Sequence, residues 1–310
     1  MQIRPARETD LERIVACRVT EPISAVSEEK YRQNAAARSY RPEWTWIAED
    51  GDRILARAVW WGFPDGNHPL ELDCLYADPS VGDPVALCAQ LVSRVVDDVP
   101  PDRAAPSYHL FLPHGWRDDP EAAAAVRWRL RAAERAGLAE VVERLRYEWT
   151  RGAAVPERSS RLRFAAEPDE AVWTALFQRV AEQSLDAETR REVRRLGSEQ
   201  QARASLADYR MPPARSDWWR VAYAGDEPIG FAMPSCYEGG HVVAYLGVVP
   251  AQRGHGYVHD LLAEITHLLI EQGADRIVAD VDLANAPMVA ALDRAAFRSF
   301  GVRIVASRPT

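Results

Sequence analysis

The chain has 310 residues, 47% of them hydrophobic and 27% charged, with a formal net charge of −8. That composition excludes a collagen-like, coiled-coil or wholly disordered chain, and the lack of a basic stripe excludes a duplex-binding domain. At roughly 150 residues per domain the length suggests two domains, each with enough chain to bury a core.

In chain order, QIRPARETDLERI reads as a short strand, an N-cap at Thr9 or Asp10, and a helix. Trp44–Trp61 reads as two strands around a hairpin turn at Asp50-Gly51. Leu70–Pro79 is a strand ending at a proline and followed by an amphipathic helix, and Arg135–Leu138 is a helix end before a last strand. The pattern then starts again. Leu162 opens a strand and an acidic helix start, and Trp218–Ser235 is a hairpin turning at Gly225-Asp226. His241–Pro250 is a proline-ended strand before a helix, and Arg294–Phe297 a helix end before the last strand. Ordered self-similarity over a whole-domain period means duplication rather than a solenoid. The linker is Arg151–Ser160, where Pro, Gly and Ser cluster. The expected domains are 1–152 and 161–310, each an α+β layered fold with a mixed, mostly antiparallel central sheet flanked by helices.

Four scattered cysteines, Cys17, Cys74, Cys88 and Cys236, fit neither a zinc site nor a disulfide framework. They suggest a reducing compartment. No run of about 18 apolar residues marks a membrane span, and the N-terminus lacks the apolar core of a secretory signal. A cytoplasmic protein without nucleic-acid or membrane partners, monomeric or homodimeric, is expected. Of the 38 basic residues only Lys30 is a lysine, an arginine bias that reads as genome composition.

The chemistry concentrates in the second half. Leu246-Gly-Val-Val-Pro-Ala-Gln-Arg-Gly-His-Gly-Tyr257 runs from a strand into the helix HDLLAEITHLLIEQG. A loop at a helix start points unpaired backbone N–H groups outward, and the helix dipole adds positive potential, so a pyrophosphate can sit there. Glycine lets the backbone approach the phosphate with no Cβ in the way. The bland alternative is an ordinary strand-to-helix turn.

This plan resembles the GCN5-related N-acetyltransferase (GNAT) superfamily, as a tandem pair. Arg253 and Gly256 fill the first and fourth positions of its R-x-x-G-x-[GA] loop, whereas Val258 departs from the sixth. The resemblance implies acetyl-CoA or another acyl-CoA as co-substrate, no metal, and contacts from Val248, Val249, Arg253, Gly254, His255, Gly256, Tyr257 and Val258. Asn285 opens a helix as an N-cap, and the family adds a contact with the CoA arm. The family's tyrosine seven residues further on, a proton donor to the departing thiolate, is replaced by Leu292. In the first half the corresponding stretch, Tyr76–Pro84, carries Asp78, Asp83 and Pro84, which repel phosphate and remove a donor, so that half reads as a degenerate copy.

Acyl transfer to an amine needs a base for the amine proton and donors for the thioester oxyanion, which the resemblance implies come from strand backbone near Val248 and Val249. Asp280 and Asp282 share one strand face and can hold an ammonium or relay its proton; they can also be solvated strand-end acids, or Asp282 can help cap the next helix. Glu238, His241 and Tyr245 are further candidates, with His241 and Tyr245 on one face by even spacing. His241 can also be a loop-edge residue, and Tyr245 a packing one. His255 and His259 are four residues apart without a third ligand. The expected function is an acyl-CoA-dependent N-acyltransferase acting directly on a small amine. The alternatives are a CoA-binding sensor or scaffold without turnover, and an acyltransferase with a protein amine as acceptor.

Overall fold

The structure, a computed structural model, describes residues 1–100, 105–211, 214–237 and 239–309. The chain forms two compact units: residues 1–143 with 301–309, and residues 144–300.

The first unit contains β1 (Gln2–Pro5), α1 (Leu11–Ala16), α2 (Glu28–Ala36), β2 (Trp46–Asp50), β3 (Arg53–Trp61) and β4 (Glu71–Ala77). Then follow α3 (Pro84–Val96), β5 (Ser107–Leu112) and α4 (Pro120–Arg135). Its sheet runs β1-β2-β3-β4-β5 and is completed at the β5 side by Gly301–Ser307 of β12 (Arg298–Ser307). Apolar residues of α1 and α2, including Ile14, Val15 and Tyr31, pack on one face with Ile47, Val59 and Cys74.

In the second unit Arg144–Thr150 of β6 (Glu140–Thr150) is followed by β7 (Arg163–Ala165), α5 (Glu170–Ala181), α6 (Ala187–Leu196) and α7 (Ser198–Tyr209). Then come β8 (Arg220–Ala224), β9 (Glu227–Tyr237), β10 (Gly240–Val248), α8 (Tyr257–Glu271), β11 (Arg276–Asp282) and α9 (Ala286–Arg294). The sheet order is β7-β8-β9-β10-β11-β6. Leu261, Leu262, Ile265 and Leu269 form one apolar stripe of α8, which packs against Ile229, Ile277, Ala279 and Val281. The opposite face receives Trp173, Leu176, Phe177 and Val180 of α5. Among the described residues no helix is long and apolar enough to cross a membrane.

The two sheets share one topology, and they share two irregularities. In the first, β4 and β5 pair in parallel only through Glu71↔Ser107 and Leu72↔Tyr108. In the second, β10 and β11 pair only through His241↔Ile277 and Val242↔Val278. Just past each pairing the earlier strand carries a bulge, with Asp73 and Ala244 as the extra residues. A bulge bends its strand and raises the local twist, so each pair of strands parts there into a fork. The unit boundaries do not follow the 151–160 linker. Chain 144–150 pairs with β11, and the C-terminal strand pairs with β5.

Candidate active site

The fork between β10 and β11 opens beside the start of α8. Gly256 is the N-cap of that helix at φ +74°, with no side chain capping the amides, and Gly254 is also left-handed at φ +84°. Among the described residues the amides of Gly254, His255, Gly256, Tyr257 and Val258 find no acceptor in the chain. These are the free donors that an anion at a helix N-terminus needs. The corresponding helix of the first unit is different. Asp83 caps α3 with its own carboxylate, accepting from the Ala86 amide at 2.9 Å, and Pro84 occupies the first helical position.

Arg161, just after the linker, was not visible as a site residue in the sequence. It donates from Nη1 to the His255 carbonyl at 2.9 Å and pairs with Asp260 at 2.6 Å. Its guanidinium also stands 4.7 Å from the Tyr257 ring centroid. It therefore clamps the loop and neutralises the one acid in the first turn of α8. Arg253 does not face the loop's free amides. It donates to the carbonyls of Val248 (3.1 Å), Gln183 (3.1 Å) and Val180 (2.9 Å), tying the end of β10 to the end of α5. His255 is exposed and stacks on Tyr257 at 5.7 Å, and His259 accepts from Arg294 at 3.0 Å. Burial, and then the positive charge of Arg294, push His259 below its ordinary range.

The amide of Val249 donates to Ile229 at 2.9 Å. It is therefore spent on β9, which removes Val249 as an oxyanion donor. Hydrogen bonds alternate along an antiparallel strand, so the N–H of Val248 points the other way, into the fork. Gly230 and Gly247 allow the close packing around it. A Cβ on Gly230 would lie 2.3 Å from the Gly247 carbonyl oxygen, and one on Gly247 would lie 2.3 Å from Val180 Cγ1.

His241 and Tyr245 lie on opposite faces, contrary to the even-spacing expectation. The bulge at Ala244 adds one residue and reverses the side of everything after it. His241 stacks against Trp218 at 6.3 Å on the α8 side. Tyr245 faces α5–α7, stacked on Tyr209 at 5.4 Å and edge-on to Phe177 and Phe231, with its hydroxyl meeting Thr189. Burial pushes its phenol up to about 12. Glu238 lies outside the described residues.

Asp280 and Asp282 do share a face, but each has a partner on β6. Asp280 stands 3.5 Å from Arg146, and Asp282 accepts from Arg144 Nε at 2.8 Å. The other oxygen of Asp282 accepts the Ala187 amide at 2.6 Å, which pins the start of α6. Burial raises the Asp282 carboxyl despite the pull of Arg144. Asp282 thus caps α6 and not the helix that follows its own strand, which was the cap expected, and both its oxygens are engaged. Asn285 caps α9, accepting from the Met288 amide at 3.4 Å, and Leu292 is fully buried in the core.

Residues 173–297 match the model of the Acetyltransferase (GNAT) family. No curated protein matches the chain significantly. A GCN5-related N-acetyltransferase from Sphaerobacter thermophilus is similar in structure, with a TM-score of 0.61 at 15% identity, over 98% of this chain and 94% of that one. A tandem GNAT protein from the clavulanic acid biosynthesis pathway gives 0.50 at 17% identity, over 100% and 99%. At these identities the likeness is one of fold. Within the second unit, residues 173–297 are thus similar to the GNAT acetyltransferase family, and the chain as a whole shares the fold of these GNAT structures.

Proposed function

We propose that the protein is an acyl-CoA-dependent N-acyltransferase, with acetyl-CoA the simplest donor and a small-molecule amine the acceptor. The observation that carries this reading is the run of acceptor-free amides from Gly254 to Val258, placed beside a strand that parts from its neighbour after two residues. The amides suit a pyrophosphate, and the fork suits the pantetheine arm, which can pair with the unpartnered edge of β10. The Val248 N–H then meets the thioester oxygen as negative charge develops there.

In the transfer, the acceptor nitrogen attacks the thioester carbon, a C–N bond forms, the C–S bond breaks and the amine loses a proton. Tyr245 stays protonated at neutral pH, so it serves as a hydrogen-bond donor to the departing thiolate and not as a base. Around Arg144 stand Asp186, Glu188 and Asp282, three carboxylates to one guanidinium. That excess negative charge favours a cationic acceptor. Asp280, paired with Arg146 and less buried than Asp282, takes the amine proton in this reading. The first unit, its helix start capped by Asp83, takes no CoA.

Calorimetric titration with acetyl-CoA is expected to give one site per chain. Gly256→Val should lose binding, because φ +74° strains any residue with a Cβ and the side chain would stand at the amides. Two equivalent sites, or unchanged affinity in that variant, would overturn the reading. The buried Leu292, in place of the family's tyrosine, favours one second reading, a CoA-binding module without turnover. Single-turnover assays with acetyl-CoA and a panel of amines separate the two.

A further inference from the structure

The first unit holds a group of side chains that the acyl-CoA reading does not use. They lie at the closed end of the fork between β4 and β5, on the face covered by α1 and α2. Ser107 Oγ is 2.9 Å from His109 Nε2. On the other side of the ring, His109 Nδ1 is 3.0 Å from Glu71 Oε2. Ser107 and His109 are two residues apart on β5, so they share a face, and Glu71 is brought alongside by the parallel pair Glu71↔Ser107. The order serine–Nε2, Nδ1–carboxylate is the one that lets an imidazole take a hydroxyl proton while a carboxylate holds its tautomer and steadies the imidazolium. The carboxylate lies off the Nδ1–H axis, since His109 Nδ1 has no aligned hydrogen bond. Such contacts in unliganded sites align when a substrate arrives.

A second observation points to a ligand at the same place. Ser307 is 3% exposed, and its hydroxyl has no partner among the described residues. The β12–β5 register ends at Ala306↔Tyr108, so Ser307 comes opposite Ser107 on the same face. A buried hydroxyl without a partner is costly to keep. Set against a serine activated by histidine, it is a donor waiting for an oxyanion. His109 is buried, whereas Ser107 and Glu71 are partly exposed, so the nucleophile can be reached and its base is shielded.

We propose that Ser107 is a nucleophile activated by His109, with Glu71 as the positioning residue and Ser307 as oxyanion donor, and that this site cleaves small carboxylic esters. In the step, Ser107 Oγ attacks the ester carbon while its proton passes to His109 Nε2. The intermediate collapses with loss of the alcohol, which takes that proton. Water, deprotonated by the same imidazole, releases the acid and restores the serine.

The test is labelling of the full-length protein with a fluorophosphonate, in which an O–P bond forms at the serine and the P–F bond breaks. Intact mass and peptide mapping should show one adduct, on Ser107. Ser107→Ala and His109→Gln should abolish it and leave acetyl-CoA titration unchanged. Ser307→Ala should slow labelling by roughly 10²–10³-fold. Glu71→Gln should slow it, and Glu71→Asp should restore part of the rate, which a merely structural carboxylate would not do. No adduct on the native chain, an adduct on another residue, or undiminished labelling in His109→Gln would overturn the proposal. If Ser107→Ala fails to fold, the mapped adduct and the Glu71 series still decide it.

Discussion

Replacing Arg253 by glutamine asks whether the arginine before the glycine loop of the proposed CoA site holds phosphate or holds the protein. Its guanidinium donates to three carbonyls, of Val180, Gln183 and Val248. The side chain is exposed, so each bond counts at the ordinary net value of about 0.5–1.5 kcal/mol and not at the higher value of buried charged pairs. Water can reach part of what is uncovered, and glutamine can replace one bond. The net loss is then about 2 kcal/mol, or roughly 4–8 °C in the melting temperature of a unit of this size. Arg253→Lys should fall between, because one ammonium cannot span three acceptors held by different elements. Acetyl-CoA affinity should fall in parallel with stability, since β10, α5 and the loop are tied by this one group. Differential scanning calorimetry and titration on the same samples check both. If Arg253→Gln keeps the native melting temperature within a degree and still loses CoA, the guanidinium contacts phosphate directly and the positional account fails.

Gly230→Ala should destabilise the second unit by about 1–3 kcal/mol by overpacking, because its Cβ would meet the backbone of Gly247 and Val248; the urea midpoint should drop and acetyl-CoA should bind more weakly. Asp282→Ala should cost about 1–3 kcal/mol, because the Ala187 amide loses its acceptor while Arg144 keeps Asp186 and Glu188, yet the folded protein should keep its single-turnover rate; a normal melting temperature with a lost rate would restore Asp282 as a catalytic residue. In the first unit, bonds from Arg4 pull the buried Asp10 from 3.8 down to about 2. Because the folded value lies below the unfolded one, this stabilisation of about 2 kcal/mol is complete above pH 4 and is lost as the pH falls to 2. Urea midpoints measured between pH 5 and 2 should show that slope, and Arg4→Gln should flatten it.

The strands, the hairpins at Gly51 and Gly225, and the helix after Arg253 were legible because each is a local periodicity bounded by a turn residue. The glycine loop with its open amides was legible for the same reason, since its glycines and helix start are contiguous. The side of Tyr245 was not. One inserted residue at Ala244 reverses it, and nothing in GHVVAYLGV marks which residue is extra. Arg161 reaches its partners His255 and Asp260 across more than ninety residues. The cap that Asp282 gives Ala187 spans 95 residues, and a strand-end acid looks the same in sequence whether it is solvated or capping. The pattern shows that 140–150 and 298–307 are strands, but hydrophobic alternation does not say which sheet receives them.

That last point has a consequence for how the chain is made. The second unit is one continuous stretch, 144–300, whereas the first is interrupted and needs 301–309 to finish its sheet. Synthesis runs from the N-terminus, so the part that emerges first must wait for residues 301–309 before its β5 edge is covered. Until then Ser107–Leu112 presents an open strand edge, the kind of surface that pairs with the wrong chain. The later-made unit can close before the earlier one. Translation pauses before residue 301, and deletions within 301–309, will therefore act on residues 1–143, some two hundred residues away in sequence from where they are applied.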